Sequence, residues 1–126
     1  MNIPDLKDSG ERREFPTGSV RDVRTGKGRF DLIPPESIKA LALQFEKGAL
    51  KYGERNWEKG QPLSSYMDSL LRHLNCHMAG QTDEDHMVSA LWNAACYIAT
   101  RERIKAGKLP KELDDVSAST KDNGCQ

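Results

Sequence analysis

The segments SSYMDSLLRHLNCHMAG (64–80) and TDEDHMVSALWNAACYIATRERIKAG (82–107) decide the fold. In the first, Met67, Leu70, Leu71, Leu74 and Met78 recur at helical spacing, and Gly80 supplies the stop. In the second, Thr82-x-x-Asp85 has the form of a capping pattern. Met87, Leu91, Ala94 and Ile98 then share one face, and Gly107 with Pro110 closes the run. Two such helices joined by a short polar turn predict a helical hairpin. A further helix precedes it. That helix opens at Pro35, carries Ile38, Leu41, Ala42, Phe45 and Ala49 on one face, and ends at Gly53. The only β-like fragment is Phe30 to Ile33, so the expected class is all-α. Leu43, Leu50, Trp92 and Tyr97 fall off the main stripes, and three helices bury little area. A homo-oligomer, dimer or tetramer, that completes the bundle is therefore expected.

Around this hairpin the chain divides into three parts. Residues 1–16 are polar with Pro4 and Pro16 as breakers, and 108–126 read as a polar tail; both are expected to be mobile. Residues 17–107 form the single domain. Between Thr17 and Phe30, Arg21, Arg24, Lys27 and Arg29 outnumber Asp22, while Gly18, Gly26 and Gly28 exclude a regular helix. The segment reads as an irregular basic arm, expected to bring Lys27 and Arg29 to an anionic ligand. Over all 126 residues, 19 basic and 19 acidic side chains balance, so the chain is no general polyanion binder and nucleic acid is not the expected partner. No apolar run is long enough to span a membrane, and Met1–Gly10 has no apolar stretch of a secretory signal. Three cysteines without a CxxC speak against a disulfide or zinc scaffold and for a reducing cytoplasm.

Chemistry-bearing residues lie beside the stripes. Glu46 adjoins Phe45; His73 lies on the second helix; Asp85, His86 and Asn93 lie at the start and along the third. Glu46, His73, Asp85 and His86 could converge in a bundle interior and hold divalent cations. Each also has a plain reading: Asp85 as a helix cap, His73 as a core-edge histidine, Glu46 as a partner of Lys47 or Lys51. His86 and Asn93 are two turns apart, about 11 Å by helix rise, too far to ligate one ion. His86 is therefore expected at the metal end and Asn93 beside a sugar or base. The connection from Lys51 to Gly60 mixes Lys51, Arg55, Asn56 and Trp57, which suit phosphate, base edge and stacking. Cys76 and Cys96 read as small buried hydrophobes.

Several strings in order resemble a known family: Thr17-Gly-Ser-Val-Arg-Asp, Gly26-Lys-Gly-Arg-Phe-Asp-Leu-Ile-Pro-Pro, Glu46-x-Gly-Ala-x-Lys-Tyr-Gly, Arg55-Asn-Trp-x-Lys-Gly, Arg72-His73, Asp83-Glu-Asp-His86 and Trp92-Asn93. Together they resemble the phage and bacterial dATP/dGTP diphosphohydrolase domain, related to the all-α MazG-like nucleotide pyrophosphohydrolases. The resemblance implies a helical bundle completed by oligomerisation and a Mg²⁺ or Mn²⁺ cofactor. It also implies hydrolysis of a purine deoxynucleoside triphosphate (dGTP or dATP) to the monophosphate and pyrophosphate. Glu46, His73, Asp85 and His86 are then the catalytic and metal-binding candidates. Lys27, Arg29, Lys51, Arg55, Asn56, Trp57, Arg72 and Asn93 are the substrate contacts. One departure stands out: ExxE occurs only at Glu11–Glu14 and ExxD only at Glu112–Asp115, not on the hairpin where MazG-like enzymes carry them. The alternative is a non-catalytic phage accessory module that binds nucleotide, nucleic acid or a host protein.

Overall fold

The structure, a computed structural model, describes residues 8–117. It divides into two units, Met1–Pro34 and Pro35–Gln126. In the first, β1 (Arg12–Glu14) and β2 (Val20–Asp22) pair antiparallel, with Arg12 opposite Asp22 and Glu14 opposite Val20. The turn closes through Phe15 N–H donating to Ser19 O and Gly18 N–H to Phe15 O, both at 2.8 Å. The Arg13 guanidinium lies 5.0 Å over the Phe15 ring. Donation by the Ser9 hydroxyl and backbone N–H, then by Lys27, holds the Asp22 carboxyl far below the usual range. A hairpin exists where no strand was expected, because three-residue strands of mixed charge offer no alternation to read. Phe30–Leu32 is a 3₁₀ turn and not an extended fragment.

The second unit is all-helical: α1 (Pro35–Tyr52), α2 (Leu63–Met78) and α3 (His86–Lys105), with 3₁₀ turns at Asn56–Lys59 and Lys111–Leu113. None of these helices is long and apolar enough to cross a membrane. Pairs that meet across α2 and α3 run in opposite senses, His73 with His86 and Tyr66 with Trp92, so the two helices are antiparallel. The core centres on Leu63, Tyr66 and Cys96, with Phe45, Trp57, Trp92, Tyr97, Ile104 and Val116 packed against it. Burial pushes the Cys96 thiol up to about 12, so it is a packing residue without nucleophilic character.

The expected face of α3, Met87, Leu91, Ala94 and Ile98, is not its most buried one, and only Ala94 of the four is half-buried. Met87, Leu91 and Ile98 lie on its outer side, and the inward face carries His86, Ser89, Ala90, Asn93, Cys96 and Thr100. Because α3 has apolar residues nearly all round, periodicity alone does not choose the face. The aromatic rings of Phe45 and Tyr66 occupy the inner side, where small and polar α3 residues leave room for them. The start of α3 also moves. Asp85 is the N-cap, its Oδ1 accepting from Val88 N at 3.1 Å, so the helix opens three residues after the position that Thr82 would cap.

Residues 108–117, expected in a mobile tail, are packed. Val116 joins the core, and Asp115 Oδ1 accepts from Ser64 N at 2.9 Å while its other oxygen accepts from the Ser64 hydroxyl. That side chain caps the first turn of α2 from a distant part of the chain, and donation from Ser64 lowers the Asp115 pKa. The expectations for residues 1–7 and 118–126, Cys125 among them, lie outside the described residues.

Gly60 makes this docking possible. Its φ is +104°, and a Cβ there would sit 2.9 Å from Leu113 Cδ1 and 3.2 Å from Leu109 Cδ2. Gly60→Ala is expected to cost about 1–3 kcal/mol. Urea denaturation should show a lower midpoint at unchanged slope.

Candidate active site

A cavity of ≈ 310 Å³ opens between α1, the Asn56–Lys59 turn, α2 and α3. Its walls are aromatic: Phe45 lies 6.1 Å from Trp57 and 5.8 Å from Trp92, and Trp92 lies 6.3 Å edge-on to Tyr66. Local structure presents Trp57. Arg55 enters the turn at φ 60°, a left-handed conformation that is costly for a side-chain-bearing residue. Arg103 then stacks 4.8 Å over the indole and also reaches Glu58 at 3.4 Å, while Arg55 pairs with Glu58 at 2.9 Å. Trp57 is thereby pinned between Arg103 and Phe45.

The polar lining comes from Asn56, Gln61, Ser65, Ser69 and Asn93. Asn93 is buried, and its Nδ2 donates to Ser89 O at 2.9 Å, which fixes the amide plane and leaves Oδ1 as an acceptor. The Trp92 Nε1 is buried without an acceptor among the described residues.

From the cavity a polar seam runs along the α2–α3 contact. The Ser89 hydroxyl donates to Glu84 Oε1 at 2.9 Å, and that oxygen lies 3.3 Å from His73 Nδ1 and 3.7 Å from His86 Nδ1. The two Nδ1 atoms face each other at 2.9 Å. His86, only 5 % exposed, holds Asp83 Oδ1 at 2.8 Å through Nε2. This hydrogen bond is the main cause that lowers the Asp83 pKa. His73, Glu84 and His86 together can hold a cation.

The other expected site residues are spread more widely. Asp85, next in sequence, turns its carboxylate to the α3 N–H groups as a cap. Glu46 is exposed on α1, and among the described residues it is not one of the three groups that converge. Lys51 is exposed beside the Tyr52 ring at 5.1 Å, and Arg72 pairs along α2 with Asp68 at 3.0 Å. In the N-terminal unit, Lys27 pairs with Asp22 at 3.2 Å and Arg29 with Asp31 at 2.7 Å. Arg55, Asn56, Trp57 and Asn93 all line the cavity. Glu84, Tyr66, Gln61, Ser65 and Ser69 were not singled out by the sequence. The one available signal was for Glu84, whose carboxylate stands two residues before His86 in a connection too short to carry it far.

A family model described as dATP/dGTP diphosphohydrolase, N-terminal, matches residues 17–109, spanning the basic arm, all three helices and both parts of the site. No curated protein and no solved structure matches the chain. The matched span covers most of the sequence, and the chain therefore belongs to the dATP/dGTP diphosphohydrolase N-terminal family.

Proposed function

We propose that this chain hydrolyses a purine deoxynucleoside triphosphate, dGTP or dATP, to the monophosphate and pyrophosphate with a divalent cation, Mg²⁺ or Mn²⁺. The observation that carries the reading is the hydrogen-bonded line from Asn93 through Ser89 to Glu84, which joins the aromatic cavity to the paired histidines. Trp57 and Phe45 stack on the base, the Asn93 Oδ1 accepts from a base or sugar donor, and Arg55 and Lys51 face the phosphates. His73 and His86, with Glu84 beside them, would hold a divalent cation, which would supply charge neutralisation and lower the pKa of a water. Asp85 caps α3 and Glu46 is exposed on α1, so the metal end rests on the two histidines and Glu84. Water attacks the α-phosphorus, its oxygen forms the new P–O bond, and the bond to the bridging oxygen of pyrophosphate breaks. The test is incubation with each of the four dNTPs and Mg²⁺ or Mn²⁺ with separation of products. Monophosphate and pyrophosphate from a purine dNTP support the reading, and their absence from every reaction contradicts it.

The absence of ExxE and ExxD from the hairpin favours a second reading, a non-catalytic accessory module. It gives nucleotide binding without a metal-dependent product in the same assay.

We also propose a homo-oligomer. Met87 and Leu91 on α3 line an open apolar groove with Ala40, Leu70, Leu74 and Ala94, and Ile98 is exposed on the same side of the helix. Leu91→Glu is expected to shift the protein to the monomer mass in sedimentation while helix content is unchanged. An unaltered mass contradicts the placement of the interface.

A further inference from the structure

We propose that His73, His86 and Glu84 form a site that prefers a divalent transition cation, Mn²⁺ of the two named above and Zn²⁺, Co²⁺ and Ni²⁺ with it, over Mg²⁺. The inference deepens the metal part of the reading above and rests on it for its role, while its own evidence is the donor geometry. Three ligand atoms make a triangle with edges of 2.9 Å between the two Nδ1 atoms, 3.3 Å from Glu84 Oε1 to His73, and 3.7 Å from Glu84 Oε1 to His86. Ligands at about 2.0–2.1 Å from one ion lie roughly 2.9 Å apart at a right angle and about 3.4 Å apart at the tetrahedral angle. The observed edges bracket those values, so one cation reaches all three atoms with small side-chain adjustments.

The outer contacts fit the same purpose. His86 Nε2 faces Asp83 Oδ1 at 2.8 Å, so that nitrogen carries the proton and Nδ1 presents its lone pair to His73. Without an ion, His73 Nδ1–H donates to that lone pair. A cation held by both histidines would take both lone pairs, with the His73 proton moved to Nε2. The Ser89 hydroxyl holds Glu84 Oε1 at 2.9 Å. Each ligand thus has a partner that orients it, the arrangement that surrounds functional metal ligands.

The donor set decides the class of ion. Two imidazole nitrogens and one carboxylate oxygen suit Zn²⁺, Co²⁺ and Ni²⁺. Mg²⁺ takes oxygen ligands in octahedral geometry and keeps several waters. Three protein ligands, with Glu84 half-exposed, leave further positions open to water or phosphate oxygen.

Co²⁺ titration of tag-free protein, followed by visible absorption without nucleotide, tests the site separately from turnover. One equivalent of Co²⁺ should bind with ligand-field bands of nitrogen and oxygen ligation, and Zn²⁺ should displace it, whereas about a hundredfold excess of Mg²⁺ should not. His73→Ala and His86→Ala should each weaken Co²⁺ affinity by at least tenfold. Glu84→Gln alters a half-exposed side chain and keeps the test usable if a histidine variant unfolds; it too should weaken binding. His77→Ala, on the exposed side of α2, should leave binding unchanged. Displacement by Mg²⁺, or Co²⁺ binding that Glu84→Gln and the folded histidine variants leave intact, overturns the proposal. If Co²⁺ binding fails while dNTP is still hydrolysed with Mg²⁺, only this inference falls. If Co²⁺ binds as expected and no nucleotide is turned over, only the hydrolytic reading falls.

Discussion

His86→Ala is expected to lower turnover by about a hundredfold or more, close to 3 kcal/mol of transition-state stabilisation. Three contacts go together: the Nδ1 that faces His73, the Nε2 hydrogen bond to Asp83, and the packing of a nearly buried ring at the start of α3. Under the proposed function, loss of one ligand atom from the three-atom set would weaken the hold on a cation that would neutralise the triphosphate and activate water. The variant should therefore show a higher metal requirement and a lower kcat, with KM for the base end little altered, because Phe45 and Trp57 belong to the cavity and not to the histidine cluster. A purely structural histidine predicts the opposite pattern. The variant would lose thermal stability through unpaired Asp83 and His73, by roughly 1–3 kcal/mol, and the folded fraction would keep its activity and metal dependence. Steady-state kinetics over a metal titration, corrected for folded fraction by circular dichroism, separates the two.

Trp57→Ala is expected to act at the other end. Stacking of a base on an aromatic side chain contributes about 1–3 kcal/mol, so KM should rise roughly tenfold to a hundredfold. Metal dependence should stay as in the unaltered protein. Some stability is lost as well, since the indole supports Phe45 on one side and Arg103 on the other. Trp57→Phe keeps an aromatic face and should recover most of the affinity. Equal KM in both variants, with the same melting temperature loss, would assign Trp57 to the scaffold alone.

The helices were legible where punctuation is chemical. Pro35, Gly53 and Gly80 mark ends that the structure places at Pro35, Tyr52 and Met78, because proline and glycine act through backbone geometry that needs no tertiary context. The face of α3 was not legible: with Met87, Leu91 and Ile98 on one side and Ala90, Trp92 and Cys96 elsewhere, the partner helices decide which side turns inward. Asp83, Glu84 and Asp85 stand in a row before His86, and only the path of the connection sorts them. Asp85 caps the helix, Asp83 holds Nε2, and Glu84 turns to the two Nδ1 atoms. Residues 108–117 looked like a tail because Leu109, Leu113 and Val116 are diluted by charge; their packing depends on Gly60 and Ser64, about fifty positions away.

The proposed reaction is attack by water on the α-phosphorus of a purine deoxynucleoside triphosphate. Turnover of dGTP and dATP in ¹⁸O-water, with mass analysis of both products, tests it most directly. One ¹⁸O is expected in the nucleoside monophosphate and none in the pyrophosphate, with the signal lost in His86→Ala. Label in pyrophosphate would instead place the attack on the β-phosphorus, and no product from either nucleotide would overturn the hydrolytic reading.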